Sequence, residues 1–368
     1  MRNVLVTGGA GFIGSNFVHY WRQTHSADRV VVFDALTYAG NLANLDGVLG
    51  DYCKFVHADL SDRQAIQDAL RNNEIDTVVH FAAESHVDRS ITGPDAFIAT
   101  NIVGTHNLLA ECRSYWLGED RRRHRFHHVS TDEVYGMLQA DDPPFTETTP
   151  YAPSSPYSAS KAAADHLVRA YQHTYGLDVT ISNCSNNYGP YHFPEKLIPL
   201  TIVNLLMGKQ IPVYGEGLNV RDWLHVRDHC VAIDAIIEQG TVGETYNVGG
   251  NCERTNRDVV AAICSVVNDE FRADAQWRER YPDAIAAKGG TSADAVVSVP
   301  DRPGHDFRYA IDASKLEQQL GFQCAADFDQ GIRETVRWYM ENRDWWSSVM
   351  DGSYREYIAE KYGSLQAG

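Results

Sequence analysis

The sequence has no Cys-x-x-Cys pair and no cysteine–histidine cluster at zinc-ligand spacing, so no metal site is expected. Its seven cysteines are odd in number and widely scattered, which predicts free thiols in a reducing compartment. No apolar run is long enough to cross a bilayer. The first residues pass straight into the apolar segment Asn3-Val4-Leu5-Val6, without the apolar core of a secretory signal. No membrane partner and a cytoplasmic location are therefore expected. Basic residues are few: 32 Lys and Arg against 49 Asp and Glu give a net charge of −17, which argues against a nucleic-acid partner. One small anionic ligand held by a few local cations remains compatible with that charge. The single dense basic run, Arg121-Arg122-Arg123-His124-Arg125, reads as a solvated loop before a strand. Internal repeats and low-complexity tracts are also absent.

What is present is a pattern of alternation. Val4-Leu5-Val6, Val30-Val31-Val32-Phe33, Phe55-Val56, Thr77-Val78-Val79, Phe126-His127-His128-Val129 and Asp178-Val179-Thr180-Ile181 read as buried strands. Helical patterns fall near 12–23, 62–72 and 95–115, with a further helix from Pro156. This predicts an α/β fold with a Rossmann-type, doubly wound parallel sheet. After Asn183 glycine, proline and asparagine rise and short strands such as Ile211-Pro212-Val213-Tyr214 appear. The expectation is a dinucleotide-binding domain over 1–183 and a smaller α/β C-terminal substrate-binding lobe over 184–368, with some later segments returning to the sheet. Residues 282–298, containing Ala-Ala-Lys-Gly-Gly-Thr, read as a flexible insertion.

The first strand runs into Thr7-Gly8-Gly9-Ala10-Gly11-Phe12-Ile13-Gly14 and then into a helix. Gly9-x-Gly11-x-x-Gly14 permits a tight turn, close approach of backbone to a pyrophosphate, and close helix–strand packing. Twenty residues past Gly14 stands Asp34, at the end of the second strand. A carboxylate there accepts from ribose hydroxyls and repels a 2′-phosphate, which favours NAD over NADP. Asp34 could instead be only a strand-end turn residue. Asp59, after Val56-His57-Ala58, is a second candidate contact on the adenosine side.

Tyr157-x-x-x-Lys161 follows Ser154-Ser155-Pro156, an N-cap followed by a proline suited to the first helical position. The i, i+4 spacing puts phenol and ammonium on one face. A cation near the phenol favours phenolate, so Tyr157 can serve as a base for an alcohol proton. Tyr357-x-x-x-Lys361 has the same spacing and reads as an ordinary helix-surface pair. Ahead of Tyr157, Thr131-Asp132-Glu133 ends an apolar strand, where ligands of parallel sheets bind. A hydroxyl, an acid and a base could act there. The plainer reading is a polar strand-end turn with Asp132 as a cap.

Taken together, these residues resemble the extended short-chain dehydrogenase/reductase family, and within it the nucleotide-sugar 4,6-dehydratases. The resemblance spans nearly the whole chain. It is carried by Ala82-Ala83-Glu84-Ser85-His86-Val87-Asp88-Arg89-Ser90, Thr131-Asp132-Glu133 and Asn183-Cys184-Ser185-Asn186-Asn187-Tyr188-Gly189-Pro190. His192-Phe193-Pro194-Glu195-Lys196-Leu197, Asn219-Val220-Arg221-Asp222-Trp223 and Asp301-Arg302-Pro303-Gly304-His305-Asp306 complete it. It implies dehydration of a nucleotide-diphosphate hexose, dTDP-glucose first, with Thr131, Asp132, Glu133, Tyr157 and Lys161 as the catalytic set. For NAD it implies Gly8, Gly11, Phe12, Ile13 and Gly14, with Asp34, Thr37, Asp59, Leu60, Ala83, Thr100, Tyr157, Lys161 and Asn187. For the substrate it implies Ser85 and Thr131 at the sugar. Asn186, Lys196, Leu197, Pro212, Tyr214, Arg221, Asn256, Arg302 and His305 would then surround the nucleotide. A homodimer through the helices near 95–115 and 157–175 is implied as well.

Two departures from the family pattern stand out, and the second, which leads into Asp301-Arg302, bears on the nucleotide pocket. The segment between Gly136 and Phe145 is short, and the stretch between Trp277 and Val299 is long. UDP-glucose or another nucleotide-hexose is thus an alternative substrate. A nucleotide-sugar 4-epimerase needs no acid–base pair, so Asp132-Glu133 speaks against it. A catalytically silent NAD-binding regulator would have no reason to keep all five residues.

Overall fold

The computed structural model describes residues 1–120, 123–301 and 305–350. Seven strands form one parallel sheet: β1 (Asn3–Thr7), β2 (Arg29–Asp34), β3 (Cys53–His57), β4 (Thr77–His80), β5 (Arg125–Thr131), β6 (Val179–Cys184) and, much later, Thr245–Val248. Across the sheet the order from one edge is β3-β2-β1-β4-β5-β6 and then Thr245–Val248. The order reverses between β1 and β4, the point at which doubly wound sheets open a ligand crevice. Helices cover both faces, so β1, β4 and β5 are almost wholly buried and their valines need no polar alternation. The predicted α/β class is the observed one.

Later chain returns to this domain in two places. Thr245–Val248 pairs in parallel with β6. Helix Val226–Gln239 packs Val226, Cys230, Ile233 and Ile237 into the cluster that holds Val4, Val18 and Trp21.

The remaining strands are short and lie outside the main sheet. They are β7 (Asn186–Tyr188), β8 (Ile211–Tyr214), β9 (Val220–His225), β11 (Glu253–Thr255) and β12 (Val296–Val299), with Thr245–Val248 counted as β10. β7, β9 and β11 make a three-stranded sheet, and β12 pairs with β8. This lobe has its own apolar cluster, including Ile202, Ile263, Tyr339 and Trp346.

The stretch 282–298 is not the loose insertion its composition implied. Ala284 and Ala295 are buried, Ser292 donates to Asn268 Oδ1 at 2.7 Å, and Val296–Val299 aligns residue by residue with Ile211–Tyr214. Small residues and glycines here allow close packing rather than freedom. The helical pattern near 95–115 is also interrupted: π-helical turns at Ile98–Gly104 and Ser114–Asp120 flank Thr105–Arg113. Tyr357 and Lys361 lie outside the described residues, as do Arg121 and Arg122 of the basic run.

Candidate active site

A cavity of about 460 Å³ runs along the carboxyl ends of β1, β2, β4 and β5 and on toward the short strands. Its first wall is the glycine turn. Gly8 has φ +69, and a Cβ there would stand 2.6 Å from Ala82 N; one on Gly14 would stand 2.3 Å from Gly8 O. Only glycine fits either position. Asp34 accepts from Ala10 N at 2.9 Å and from Leu36 N at 2.8 Å, and burial pushes its carboxyl above the usual range. It faces the cavity and also braces the turn, so the ligand and turn readings of Asp34 both describe it. Thr37, Asp59, Leu60, Ala83, Thr100 and Asn187 line the same wall as Gly8, Gly11, Phe12, Ile13 and Gly14.

At the centre, helix Pro156–Tyr175 begins with a capping box between Ser155 and Ser158 and ends at Gly176, φ +75. The cap fixes where Tyr157 and Lys161 emerge, one turn apart and both buried. Lys161 Nζ donates to Val129 O at 2.8 Å. Burial lowers the Lys161 ammonium, and the charge of Asp165 one turn further on is the largest influence opposing it. Asp165 is fully buried and accepts from Tyr151 Oη at 2.8 Å. Its neighbour His128, 3.2 Å away, is pushed down to about 4 by burial and so stays neutral.

The Tyr157 phenol does not behave as the spacing alone predicted. Burial and the charge of Glu133 push it well above its usual range, and among the larger influences only its hydrogen bond with Thr131 acts the other way. Lys161 is committed to a backbone carbonyl and does not by itself generate a phenolate. A cationic ring beside the phenol would supply the missing attraction.

Thr131 ends β5 and caps the 3₁₀ turn Asp132–Tyr135. Its Oγ1 accepts from Glu133 N at 3.3 Å and donates to Asp132 Oδ1 at 3.4 Å. The two adjacent carboxyl groups differ sharply. Glu133 lines the cavity, while Asp132 is 2% exposed, absent from the cavity wall, and has Oδ2 without a hydrogen-bond partner. Burial first, then Glu133 and Asp222, raise the Asp132 carboxyl well above its usual range. This is the environment of a protonated acid beside an ionisable base.

The far wall gathers Ser85, Asn186, Lys196, Leu197, Pro212, Tyr214, Arg221, Asn256 and His305. Lys196 Nζ donates to Ser85 O at 3.1 Å, bridging two loops 111 residues apart. Arg221 was expected at a diphosphate. Its guanidinium also stacks 4.4 Å over the Tyr309 ring and donates to Asp306 O at 2.9 Å and Val220 O at 2.7 Å. Its plane is therefore fixed by the protein. Arg302 lies outside the described residues.

Sequence reasoning missed a cluster at the cavity mouth. Arg89 lies 4.1 Å over the Tyr38 ring and pairs with buried Glu195 at 3.2 Å. Tyr38 comes from the loop after β2, Arg89 from helix Val87–Thr92 after β4 and Glu195 from the substrate lobe, so the cluster ties all three. Arg89 and Glu195 both fall in stretches singled out above, but a pairing across 106 residues has no local signal. Among the described residues there is no metal-binding cluster, and no helix is long and apolar enough to cross a membrane.

Comparison with known proteins places this geometry. The GDP-mannose 4,6-dehydratase family profile matches residues 5–335. A dTDP-glucose 4,6-dehydratase of Xanthomonas campestris pv. campestris is 56% identical over 96% of this chain and 98% of its own. One from Escherichia coli is 53% identical over 95% and 97%. The crystal structure of a dTDP-glucose 4,6-dehydratase from Bacillus anthracis in complex with NAD superposes with a TM-score of 0.81. It is 44% identical and covers 95% of this chain and all of that one.

Proposed function

The chain belongs to the GDP-mannose 4,6-dehydratase family, and we propose that it converts dTDP-glucose to the 4-keto-6-deoxy sugar nucleotide with NAD as resident cofactor. The observation that carries the reaction class is the pair of adjacent carboxyl groups in opposite environments, Asp132 buried and Glu133 in the cavity, beside Tyr157 and Lys161. An epimerase has no use for such a pair. The glycine turn supports the cofactor, because Cβ atoms at Gly8 and Gly14 would collide with backbone, so only glycine lets the turn pack tightly against the start of helix Phe12–Thr24, where a pyrophosphate is held.

The residues of the glycine turn with Asp34 and Lys161 would hold NAD, which would supply the hydride acceptor for C4 and the donor for C6. Tyr157 removes the proton from the 4-hydroxyl, which Thr131 positions. Lys161 would hold the ribose, and a cationic ring beside the phenol would favour the phenolate. The new ketone acidifies C5, and Glu133 takes that proton. Asp132 donates to the 6-oxygen, which leaves as water. Glu133 then gives its proton back to C5. Thr131, which lines the cavity, is the residue through which Asp132 meets the cleft, its Oγ1 donating to Asp132 Oδ1 at 3.4 Å.

Substrate deuterated at C4 is expected to give product labelled at C6 without added electron acceptor. Label lost to solvent, or kept at C4, sinks this reading. Product analysis with dTDP-, UDP-, CDP- and GDP-hexoses tests the nucleotide. The half-exposed Ile91, Ile98 and Val103 on the helices over 87–104 support a homodimer through that face, which sedimentation measures. Seven free cysteines support a cytoplasmic location.

A further inference from the structure

We propose that the Thr131 hydroxyl resets the site between turnovers by passing a proton from Tyr157 to Asp132. The inference rests on the dehydration cycle above and follows from its balance. In one turnover the O4–H bond breaks and its proton goes to Tyr157 Oη. The C5 proton goes to Glu133 and comes back. The C6–O bond breaks, and the departing oxygen leaves as water with the proton of Asp132. The hydride that leaves C4 forms the new C6–H bond, so no electrons are left over. What remains is a neutral tyrosine and an ionised aspartate. The next turnover needs the reverse: a phenolate to accept and an aspartic acid to donate. One proton must move from Tyr157 to Asp132, and no oxidant or co-reactant is involved.

Bulk water is poorly placed to do this. Tyr157 is 8% exposed and Asp132 2%, and Asp132 has no part in the cavity wall. Thr131 joins the two: it hydrogen-bonds the Tyr157 phenol and donates from Oγ1 to Asp132 Oδ1 at 3.4 Å. A hydroxyl has one proton to give and two acceptor sites. Here Glu133 N takes one acceptor site, and the same Oγ1 is hydrogen-bonded both to the Tyr157 phenol and to Asp132 Oδ1. With the tyrosine neutral after a turnover, its phenol can donate to Thr131 as Thr131 donates to Asp132, which is the order a relay needs. Burial disfavours the ionised Asp132 that a turnover leaves behind and the phenolate alike, so the transfer needs the cationic ring beside Tyr157 to favour the phenolate. Since the sugar 4-oxygen competes for the same hydroxyl, the path is complete when the cleft holds no sugar.

The test compares the NAD-loaded parent with Thr131→Ser and Thr131→Val, in enzyme-excess single turnovers of dTDP-glucose and in steady state. Thr131→Val should slow the first turnover through its lost contact to the 4-oxygen, and later turnovers by roughly a further tenfold or more, a burst absent from the parent. The slow phase should show a larger solvent deuterium effect than the burst. Thr131→Ser should abolish the burst, and Thr131→Ala, a second variant without the hydroxyl, should reproduce it. Equal slowing of first and later turnovers in Thr131→Val, or the same burst in Thr131→Ser, overturns the relay and leaves Thr131 as a contact to the 4-oxygen. Failure of the parent protein to dehydrate the sugar would overturn the functional reading instead.

Discussion

On one side of the cleft, Gly8 to Gly14 present bare backbone at the end of β1, with Asp34 hydrogen-bonded to Ala10 and Leu36 behind them. On the other side, Arg221 lies over Tyr309 and reaches the carbonyls of Val220 and Asp306, and Lys196 reaches across to Ser85. The first wall is main chain held by a continuous sheet. The second is side chain held by short strands and loops far apart in sequence. A backbone wall tolerates almost no added atom, because nothing in it can swing aside. A side-chain wall can adjust, and its specificity lies in the shape of the groups it holds. The two carboxyl groups on the seam between them, Asp132 and Glu133, take one burial from each kind of surroundings.

The largest effect should come from the rigid wall. Gly14→Ala places a methyl 2.3 Å from Gly8 O. It should cost about 4 kcal/mol of cofactor binding, near a thousandfold. NAD content after purification and calorimetric titration measure it, and a variant that retains tightly bound NAD would erase the contrast between the walls. Next comes Arg221→Lys on the adjustable wall. A lysine keeps the charge but loses the planar stacking and the paired carbonyl contacts. KM for the sugar nucleotide should rise about 30-fold, equivalent to about 2 kcal/mol, with NAD content unchanged. A parallel loss of NAD would show that the walls are one unit. The smallest effect is thermal and belongs to the seam. The Asp132 carboxyl is raised by burial, so the native state holds its proton where the unfolded chain has released it. Its contribution to stability therefore falls as pH rises above the ordinary carboxyl range. Asp132→Asn removes that penalty. It should raise the melting temperature by on the order of 1–3 °C at pH 8, with the gain vanishing toward pH 4, while abolishing dehydration. A gain independent of pH would mean that Asp132 is not the group being titrated.

The legibility of the molecule follows the same division. The glycine turn, the β-strand periodicity and the Ser155-Pro156 cap are local rules, and each appears where its residues predict. The site residues carried by motif position line one cavity, apart from Asp132 and the undescribed Arg302. What could not be read was the third dimension of charge. Nothing local marks Asp165 as the buried anion that offsets Lys161, or Glu195 as the partner of Arg89. Nor does the Tyr157-x-x-x-Lys161 spacing reveal that Lys161 is committed to Val129 O. The segment 282–298 misled because glycine and alanine serve tight packing as readily as freedom.

One contact joins the two ends of the described chain. Trp345, in helix Arg343–Val349, donates its indole N–H to Asn44 Oδ1 at 2.6 Å. Asn44 in turn donates to Ala10 O, inside the glycine turn, at 2.8 Å. Asp34 braces the turn from within its own domain, and Trp345 adds a second brace from a helix 301 residues from Asn44 along the chain. Loosening helix Arg343–Val349 should therefore be felt at the cofactor turn through Asn44.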